Sequence, residues 1–247
     1  MKLTLAEPKH LKDSISIISE LVSEARLKIG TDGIELVAMD PANVAMVIFK
    51  LFSSCFVEYE VPKETKIGLN LSNFKQVLKR AKQNDIISLD IDKGMLKIKF
   101  KSNTIREFSL PIIDIEEGEQ KIPQLNFPVS ITTESSILSD AIEDASIVAD
   151  SVSFIVEDGK FIISAEGDMN KVNIEIKQGE NTNIVTETQE KIKAKYSVEY
   201  LKKLTAGSKL SDSVIVRLNT DYPLKLEYNE VDKVSLAFIL APRVDND

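Results

Sequence analysis

The sequence predicts an α+β protein made of two similar domains. The chain of 247 residues has the phrase FSLPIID at residues 108–114, and FILAPRVD at residues 238–245 repeats it with one inserted alanine. Other residues recur in the same order at shifts of 126 to 130 positions. In both halves, stretches with helical spacing alternate with stretches of period-two alternation. An ordered series of matches at a nearly constant shift indicates duplication.

The matches between the halves extend along the chain and involve both apolar and turn residues. The pairs are Leu11 with Leu138, Asp13 with Asp140, Ile15 with Ile142, Asp32-Gly33 with Asp158-Gly159, Phe74 with Tyr200, Leu78 with Leu204, Lys97 with Lys225 and Phe100 with Tyr228. We therefore expect the same element order in each half.

Four helices are predicted, over residues 8–22, 72–83, 135–150 and 197–208. In the first helix, Leu11, Ile15, Ile18 and Val22 form one apolar stripe at helical spacing. Ser72 is a plausible N-cap for the second helix because its hydroxyl can accept from an amide in the first turn. The stretches ISLDID, LKIKF, VNIEIK and VIVRL alternate with period two and predict strands, separated by glycine-containing turns.

An acidic stretch, DIEEGEQKIPQLNFP at residues 114–128, separates the halves and has neither periodicity. We interpret it as a connector between a domain at residues 1–113 and a domain at residues 129–247. Its apolar residues Ile122, Leu125 and Phe127 suggest that it lies against a surface instead of extending into water.

Composition narrows the class of protein. Hydrophobic residues make up 43% of the chain, which is enough for a globular core, and no apolar run approaches the ~20 residues of a membrane span. The N-terminal stretch MKLTLAEPKHLKD lacks the apolar core of a signal peptide. The single cysteine, Cys55, fits a reducing intracellular setting.

The charge distribution is uneven. The net charge of −8 argues against nucleic-acid binding when taken as an average, yet the second predicted helix carries +4 and the third −4. Lys75, Lys79 and Lys82 are spaced i, i+4, i+7 along the second helix. Two interpretations of this row stay open: a solvated helix face, or a row that follows a phosphate backbone.

The sequence contains no short motif of a known enzyme class. The lone His10 is predicted to be an uninvolved surface residue near a helix start, and Cys55 a half-buried thiol. Asp90 and Asp92 lie on one face of a predicted strand, where solvation is the simpler explanation than a metal. We expect no catalytic residue, metal or cofactor. Two classes remain: a binding or scaffold protein that contacts nucleic acid, and an enzyme without recognisable motifs.

Several longer stretches resemble proliferating cell nuclear antigen, the sliding clamp of archaeal and eukaryotic replication, and are closer to archaeal members. They are AMDPANVAMV at 38–47, YEV at 59–61, IGLNL at 67–71, REFSLPIID at 106–114, AEGD at 165–168, PLKLEY at 223–228 and LAPRV at 240–244. The resemblance covers essentially the whole chain, and its pieces occur in the order and spacing of the family.

The resemblance implies the DNA clamp fold: two domains, each with two helices backed by antiparallel sheet, and three subunits closed into a ring around duplex DNA. Cationic residues that would face DNA without reading its sequence are Lys12, Lys75, Lys79, Arg80, Lys82, Lys202, Lys203 and Lys209. Relatives often have basic residues near Ser139 and Glu143, where this chain is acidic. Whether the third helix contacts DNA stays open, as does the choice between a homotrimer, which we favour, and a heterotrimer.

The resemblance also implies an interface between subunits and a pocket for partner peptides. The interface pairs Arg106, Phe108 and Leu110 of one copy with Val172, Ile174 and Ile176 of the next. The pocket residues are Met39, Val44, Met46, Ile122, Pro123, Phe127, Pro223, Ile239, Leu240, Ala241 and Pro242. Expected partners are DNA polymerase, the clamp loader replication factor C, flap endonuclease and DNA ligase, through Gln-x-x-aliphatic-x-x-aromatic-aromatic peptides. The expected location is the archaeal cytoplasm, at the nucleoid, or the nucleus if the chain is eukaryotic.

Overall fold

The structure, a computed structural model, describes residues 1–115, 118 and 120–244. The chain divides into two compact units. The first contains residues 1–41, 47–122 and 230–236, and the second contains residues 42–46, 123–229 and 237–247. Each unit therefore includes a short segment that is distant in the sequence from its main part.

In the described residues of the N-terminal half, the structure has two α-helices and nine strands. Their bounds are β1 (Lys2–Leu5), α1 (Lys9–Ile18), β2 (Glu24–Ile29), β3 (Gly33–Met39), β4 (Ala45–Phe52), β5 (Glu58–Glu60), β6 (Thr65–Asn70), α2 (Leu71–Leu78), β7 (Ile86–Asp92), β8 (Met95–Lys101) and β9 (Ile105–Pro111). One sheet has the order β5-β1-β7-β8-β9, and β4-β3-β2-β6 are neighbours in another. The neighbouring strands whose residue-by-residue register the structure defines run antiparallel.

The C-terminal half, as far as the structure describes it, repeats this arrangement with two α-helices and nine strands. Their bounds are β10 (Val129–Glu134), α3 (Ser135–Ser146), β11 (Ser151–Glu157), β12 (Lys160–Glu166), β13 (Lys171–Lys177), β14 (Thr182–Thr186), β15 (Ile192–Ser197), α4 (Val198–Thr205), β16 (Ser213–Leu218), β17 (Leu224–Glu230) and β18 (Val234–Leu240). One sheet has the order β13-β12-β11-β15, and β14-β10-β16-β17-β18 are neighbours in another. Helices backed by antiparallel sheet confirm the predicted fold.

The predicted apolar stripe of the first helix is confirmed, since Leu11, Ile15, Ile18 and Val22 are all buried. The helix itself ends at Ile18, and Val22 lies in a following turn whose amide donates to the Ile18 carbonyl at 3.0 Å. Apolar spacing continues past the helix because the turn also packs on the core. This is why the sequence predicted too long a helix.

The second helix begins and ends earlier than predicted. Its N-cap is Asn70, whose Oδ1 accepts from the Asn73 amide at 2.9 Å, so the prediction that Ser72 is the cap was wrong. The helix follows β6 directly, and the last strand residue therefore caps it. It ends at Leu78, which leaves Lys79 and Lys82 outside the regular helix.

The prediction that His10 is a surface residue was also wrong. Its side chain is buried, and Nε2 lies 2.6 Å from Glu230 Oε2. Glu230 belongs to the segment of residues 230–236 that completes the first unit. A contact between residues so far apart in the chain leaves no local signal in the sequence.

Candidate DNA-contact, docking and interface surfaces

The cations predicted to face DNA in the first unit differ in how they are paired. Lys75 forms an ion pair with Glu20, which offsets its charge. Lys79 and Lys82 are exposed, and within the described residues their ammonium groups have no acidic partner. Lys12 is half-exposed on α1. Among the predicted DNA-facing cations of this unit, the two that are exposed and have no acidic partner in the described residues therefore lie just beyond α2, in residues 79–82, which we call the cationic turn.

Arg106, predicted at the subunit interface, points into its own unit. Its Nη2 pairs with Asp85 Oδ2, and its Nη1 donates to the Arg80 carbonyl at 2.9 Å. Its guanidinium carbon lies 5.1 Å from the centre of the buried Phe100 ring. A hydrogen bond from the Lys82 amide is the main cause that holds the pKa of Asp85 below its usual value. Sequence reasoning missed Asp85 altogether.

An acidic residue of the third helix offsets part of the positive charge of the fourth helix. Glu143 on α3 lies 2.8 Å from the Lys202 ammonium on α4, and Lys203 pairs with Glu199 of its own helix at 2.8 Å. Lys209, in the 3-10 turn after α4, is exposed. Positive charge on α4 is thus offset locally, unlike that of the cationic turn.

The strands predicted to join subunits lie at sheet edges. In the described strand orders, β9 ends the five-stranded sheet and β13 ends the four-stranded sheet. Phe108 and Leu110 on β9 are half-buried, as are Val172 and Ile174 on β13, whereas Ile176 is buried. Half-exposed apolar residues on an edge strand form a surface that can accept another strand.

The residues predicted to form the peptide pocket are divided by burial. In the second unit, Leu240 is completely buried and Met46 and Ile239 are each 7% exposed, so these three side chains pack mainly in the core. Val44, Phe127, Pro223, Ala241 and Pro242 are partly exposed and Pro123 is exposed. In the first unit, Met39 is partly exposed and Ile122 is 51% exposed.

An aromatic pair fixes the connector residue Phe127 in the second unit. Its ring centre lies 5.9 Å from that of Tyr222, edge to face. The Tyr222 carbonyl in turn accepts from the Tyr196 hydroxyl at 2.8 Å, and burial raises the pKa of that hydroxyl. The Ala241 amide donates to the Val44 carbonyl at 2.9 Å. Sequence reasoning missed Tyr222, although its position next to Pro223 in an irregular stretch was a usable signal.

Features considered for catalysis have structural explanations. The Cys55 thiol lies 3.1 Å from the Lys233 carbonyl, and burial raises its pKa, which disfavours the thiolate. Asp90 is paired with the N-terminal amine at 3.7 Å. In the described part of the chain, no group of three or more potential metal ligands occurs, and no helix there is long and apolar enough to span a bilayer.

Comparison with known proteins matches residues 1–243 to the two domains of one family. Residues 1–120 match the N-terminal domain of proliferating cell nuclear antigen and residues 121–243 match its C-terminal domain. A protein of Nanoarchaeum equitans named DNA polymerase sliding clamp is 38% identical over 99% of this chain and 100% of its own length. A protein of the same name from Thermococcus onnurineus is 37% identical over 96% of each chain.

A solved structure gives the same result at the level of the fold. The crystal structure of PCNA from Thermococcus kodakaraensis matches with a TM-score of 0.91 at 28% identity, covering 98% of this chain and 99% of that one. The chain belongs to the proliferating cell nuclear antigen family.

Proposed function

We propose that the protein is a DNA sliding clamp, a processivity factor that encircles duplex DNA and tethers DNA polymerase. The observation that carries the proposal is the family match over residues 1–243, together with relatives named DNA polymerase sliding clamp that align along the full chain. The role is that of a scaffold, without catalysis of its own.

The charge distribution supports this role. The chain has a net charge of −8, but it presents the cations Lys79 and Lys82, which have no acidic partner among the residues that the structure describes. Contacts to phosphates carry little sequence information, and a few of them bind weakly enough to exchange quickly. A ring that is retained by topology does not need tight contacts, so weak ones permit sliding.

A topological experiment tests the encircling role. The protein would be loaded by an archaeal clamp loader on nicked circular DNA and separated from free protein by gel filtration. We expect it to remain with the circle and to be released when a restriction enzyme linearises the DNA. Equal retention on circular and linear DNA would contradict encirclement and indicate ordinary binding.

The proposed assembly is a homotrimer in which β9 of one copy pairs with β13 of the next. Light scattering of the protein expressed alone should give about three times the chain mass of 27.5 kDa. Proline at Ile174 would remove a backbone donor from the edge strand and should yield smaller species. A monomer in the unchanged protein would favour a heterotrimer.

The proposed docking site for polymerase, replication factor C, flap endonuclease and DNA ligase includes the partly exposed residues around Phe127. An aromatic anchor of a partner peptide would pack against Phe127, Pro223 and Pro242. Phe127→Ala should weaken binding of a Gln-x-x-Leu-x-x-Phe-Phe peptide about 30-fold, since a hot spot contributes about 2 kcal/mol. Calorimetric titration measures this, and equal affinity would place docking elsewhere.

A further inference from the structure

The sheet edges in the described part of the chain differ in how they are protected. Ile113 bridges to the edge of β6, and the main-chain amides of Asp221 and Arg243 donate to carbonyls on the edge of β15. The edge strand β5 is only three residues long and carries two glutamates, which is a common protection against pairing. The edges of β9 and β13 form the proposed subunit interface. The edge of β14 has none of these explanations.

The free edge of β14 offers main-chain groups to a ligand. This strand pairs with β10 on one side only. The Glu187 amide donates to the Pro128 carbonyl at 2.8 Å, and main-chain groups alternate in direction along an antiparallel strand. Ile184 and Thr186 therefore direct their main-chain groups away from β10. Among the described residues, the Ile184 carbonyl and both main-chain groups of Thr186 have no hydrogen-bond partner.

A side chain occupies the other outward group of this edge. Gln178, which follows β13, accepts from the Ile184 amide through Oε1 at 2.6 Å, and its Nε2 donates to Asn183 Oδ1 at 3.1 Å. The side-chain amide thus stands where the peptide group of a neighbouring strand would stand. Gln178 is exposed, so water can solvate its amide when a main-chain segment displaces it.

The edge of β14 is apolar on both faces at its centre. Val185 lies opposite Ser130 and is 53% exposed. Ile184 lies opposite the buried Ile131 on the other face and is itself half-buried. A strand added at this edge would cover both side chains. Main-chain pairing together with contacts to alternate side chains is the usual basis of strand addition.

An open cleft of about 350 Å³ lies between the C-terminal end of β14 and the turn that joins β11 to β12. Asp158 and Glu190 line it, and Glu187 precedes it in the chain. All three carboxylates are exposed, and none has an ion-pair partner within the described residues. Glu157 in the same cleft is already paired with Lys191 at 2.8 Å. The uncompensated negative charge favours a ligand with a cationic side chain at this end.

We propose that the edge of β14 is a second docking site, which takes an extended segment of a partner protein with basic residues around a β-branched apolar centre. The segment would pair with Ile184 and Thr186, displace the Gln178 side chain and place a lysine or arginine in the acidic cleft. The proposed pocket around Phe127 selects aromatic anchors, whereas this edge selects main-chain groups and positive charge. The inference does not rest on the proposed function as a clamp.

The first test removes one donor from the edge. The probe is a fluorescent peptide, Lys-Val-Thr-Val-Arg with blocked ends, titrated with the full-length protein and followed by anisotropy. Thr186→Pro removes the outward amide and no hydrogen bond to β10, so it should weaken binding about fivefold. Thr186→Ala is the matched control, because it also loses the hydroxyl contacts with Thr188 but keeps the amide. Equal affinity of the two variants, both shown to be folded by thermal unfolding, would overturn the inference.

The second test predicts a gain, which a loss of fold cannot imitate. Gln178→Ala frees the Ile184 amide, so the same peptide should bind about fivefold more tightly because it no longer competes with an existing hydrogen bond. Equal or weaker binding would overturn the inference. Light scattering of this variant identifies a different occupant. Pairing of two assemblies that Thr186→Pro abolishes would show that the edge takes a second copy of this chain, which also overturns the inference.

Modified peptides separate strand pairing from attraction between charges. A strand pairs along one edge only, so methylation of the two valine amides and methylation of the other three amides should affect binding differently, with one form lost and the other retained. Equal affinity of the two forms would overturn the inference. Asp158→Asn/Glu190→Gln should weaken binding of the unmethylated peptide about threefold.

A competition experiment separates this site from the proposed pocket around Phe127. An excess of a Gln-x-x-Leu-x-x-Phe-Phe peptide should leave the fluorescent peptide bound, because an aromatic anchor does not use the main-chain groups of β14. Displacement would place the fluorescent peptide in that pocket and overturn the inference.

Discussion

The two units end their corresponding helices in chemically different ways. In the first unit the buried Phe100 ring is covered by the Arg106 guanidinium, which is paired with Asp85. In the second unit the matching ring, Tyr228, is approached so closely by Gly207 that an added Cβ would lie 2.4 Å from two ring carbons. The sequence offset that places Leu78 on Leu204 places Ala81 on Gly207. Duplicated domains can thus keep one fold while a different group packs on the corresponding aromatic ring. In the first unit this group is a charged guanidinium, and in the second it is the backbone of a glycine.

The largest effect is expected from Gly207→Ala. The Tyr228 ring is fully buried and cannot move without displacing its neighbours, so the added methyl group should destabilise the protein by about 1–3 kcal/mol. Chemical denaturation measures the free energy of unfolding. Gly179→Ala in the same unit is the control, because its nearest neighbour would be at 3.9 Å. A loss equal to that of the control would show that the ring adapts, and a Gly207→Ala/Tyr228→Leu double variant should recover stability.

The next largest effect is expected on the stability of the fold at acidic pH. The hydrogen bond from the Lys82 amide lowers the pKa of Asp85 in the folded protein. Its contribution to stability is therefore fully present above the unfolded value of about 3.9 and is lost as the pH falls through the folded value. Below about pH 4, the free energy of unfolding of Asp85→Asn should therefore fall less steeply with decreasing pH than that of the unchanged protein. The difference in slope should correspond to at most one bound proton. Denaturation curves across an acid series measure this, and parallel slopes would contradict it.

A smaller effect of opposite sign is expected from Tyr228→Phe. The buried Tyr228 hydroxyl has no hydrogen-bond partner among the described residues, and the first unit has phenylalanine at the matching position. Removal of an unsatisfied buried hydroxyl should leave stability unchanged or raise it by up to about 1 kcal/mol. The midpoint of thermal unfolding reports the change. A loss of more than that amount would indicate that the hydroxyl is hydrogen-bonded.

The smallest effect is expected from Glu143→Gln. The Glu143–Lys202 pair is exposed on both sides, and such pairs contribute about 0–1 kcal/mol. The change should barely affect unfolding but should free Lys202, so that DNA association becomes slightly stronger and more dependent on salt. Asp144→Asn on the same helix is the control. Identical salt slopes for both variants would mean that α4 does not approach DNA.

Sequence reasoning was most reliable where the evidence was periodic. The stripe of Leu11, Ile15 and Ile18 predicted a helix face that is buried, and the repeated phrases predicted the duplication. It failed at helix ends, because buried turn residues such as Val22 continue the helical spacing. It also failed where one distant residue changes an environment, as Glu230 does for His10.

The residues predicted for the candidate surfaces differ in whether the structure leaves them accessible. The predicted site residues Phe127 and Lys79 are accessible in the structure and stay predictions, whereas Leu240 lies in the core. Arg106 was assigned to an edge strand correctly, yet its partner Asp85 was missed because an acidic residue in a turn normally remains in water. Side-chain direction depends on packing, which composition and spacing do not encode.

The segment of residues 230–236 has a consequence for biosynthesis. The first unit includes this late segment, and His10 near the start of the chain meets Glu230 near its end. On the ribosome, an N-terminal domain normally folds as soon as it has emerged. Here the first unit stays incomplete until residues 230–236 have left the exit tunnel. We therefore expect the final consolidation of the first unit to wait for residues 230–236, with the closure of a very long loop as a slow step.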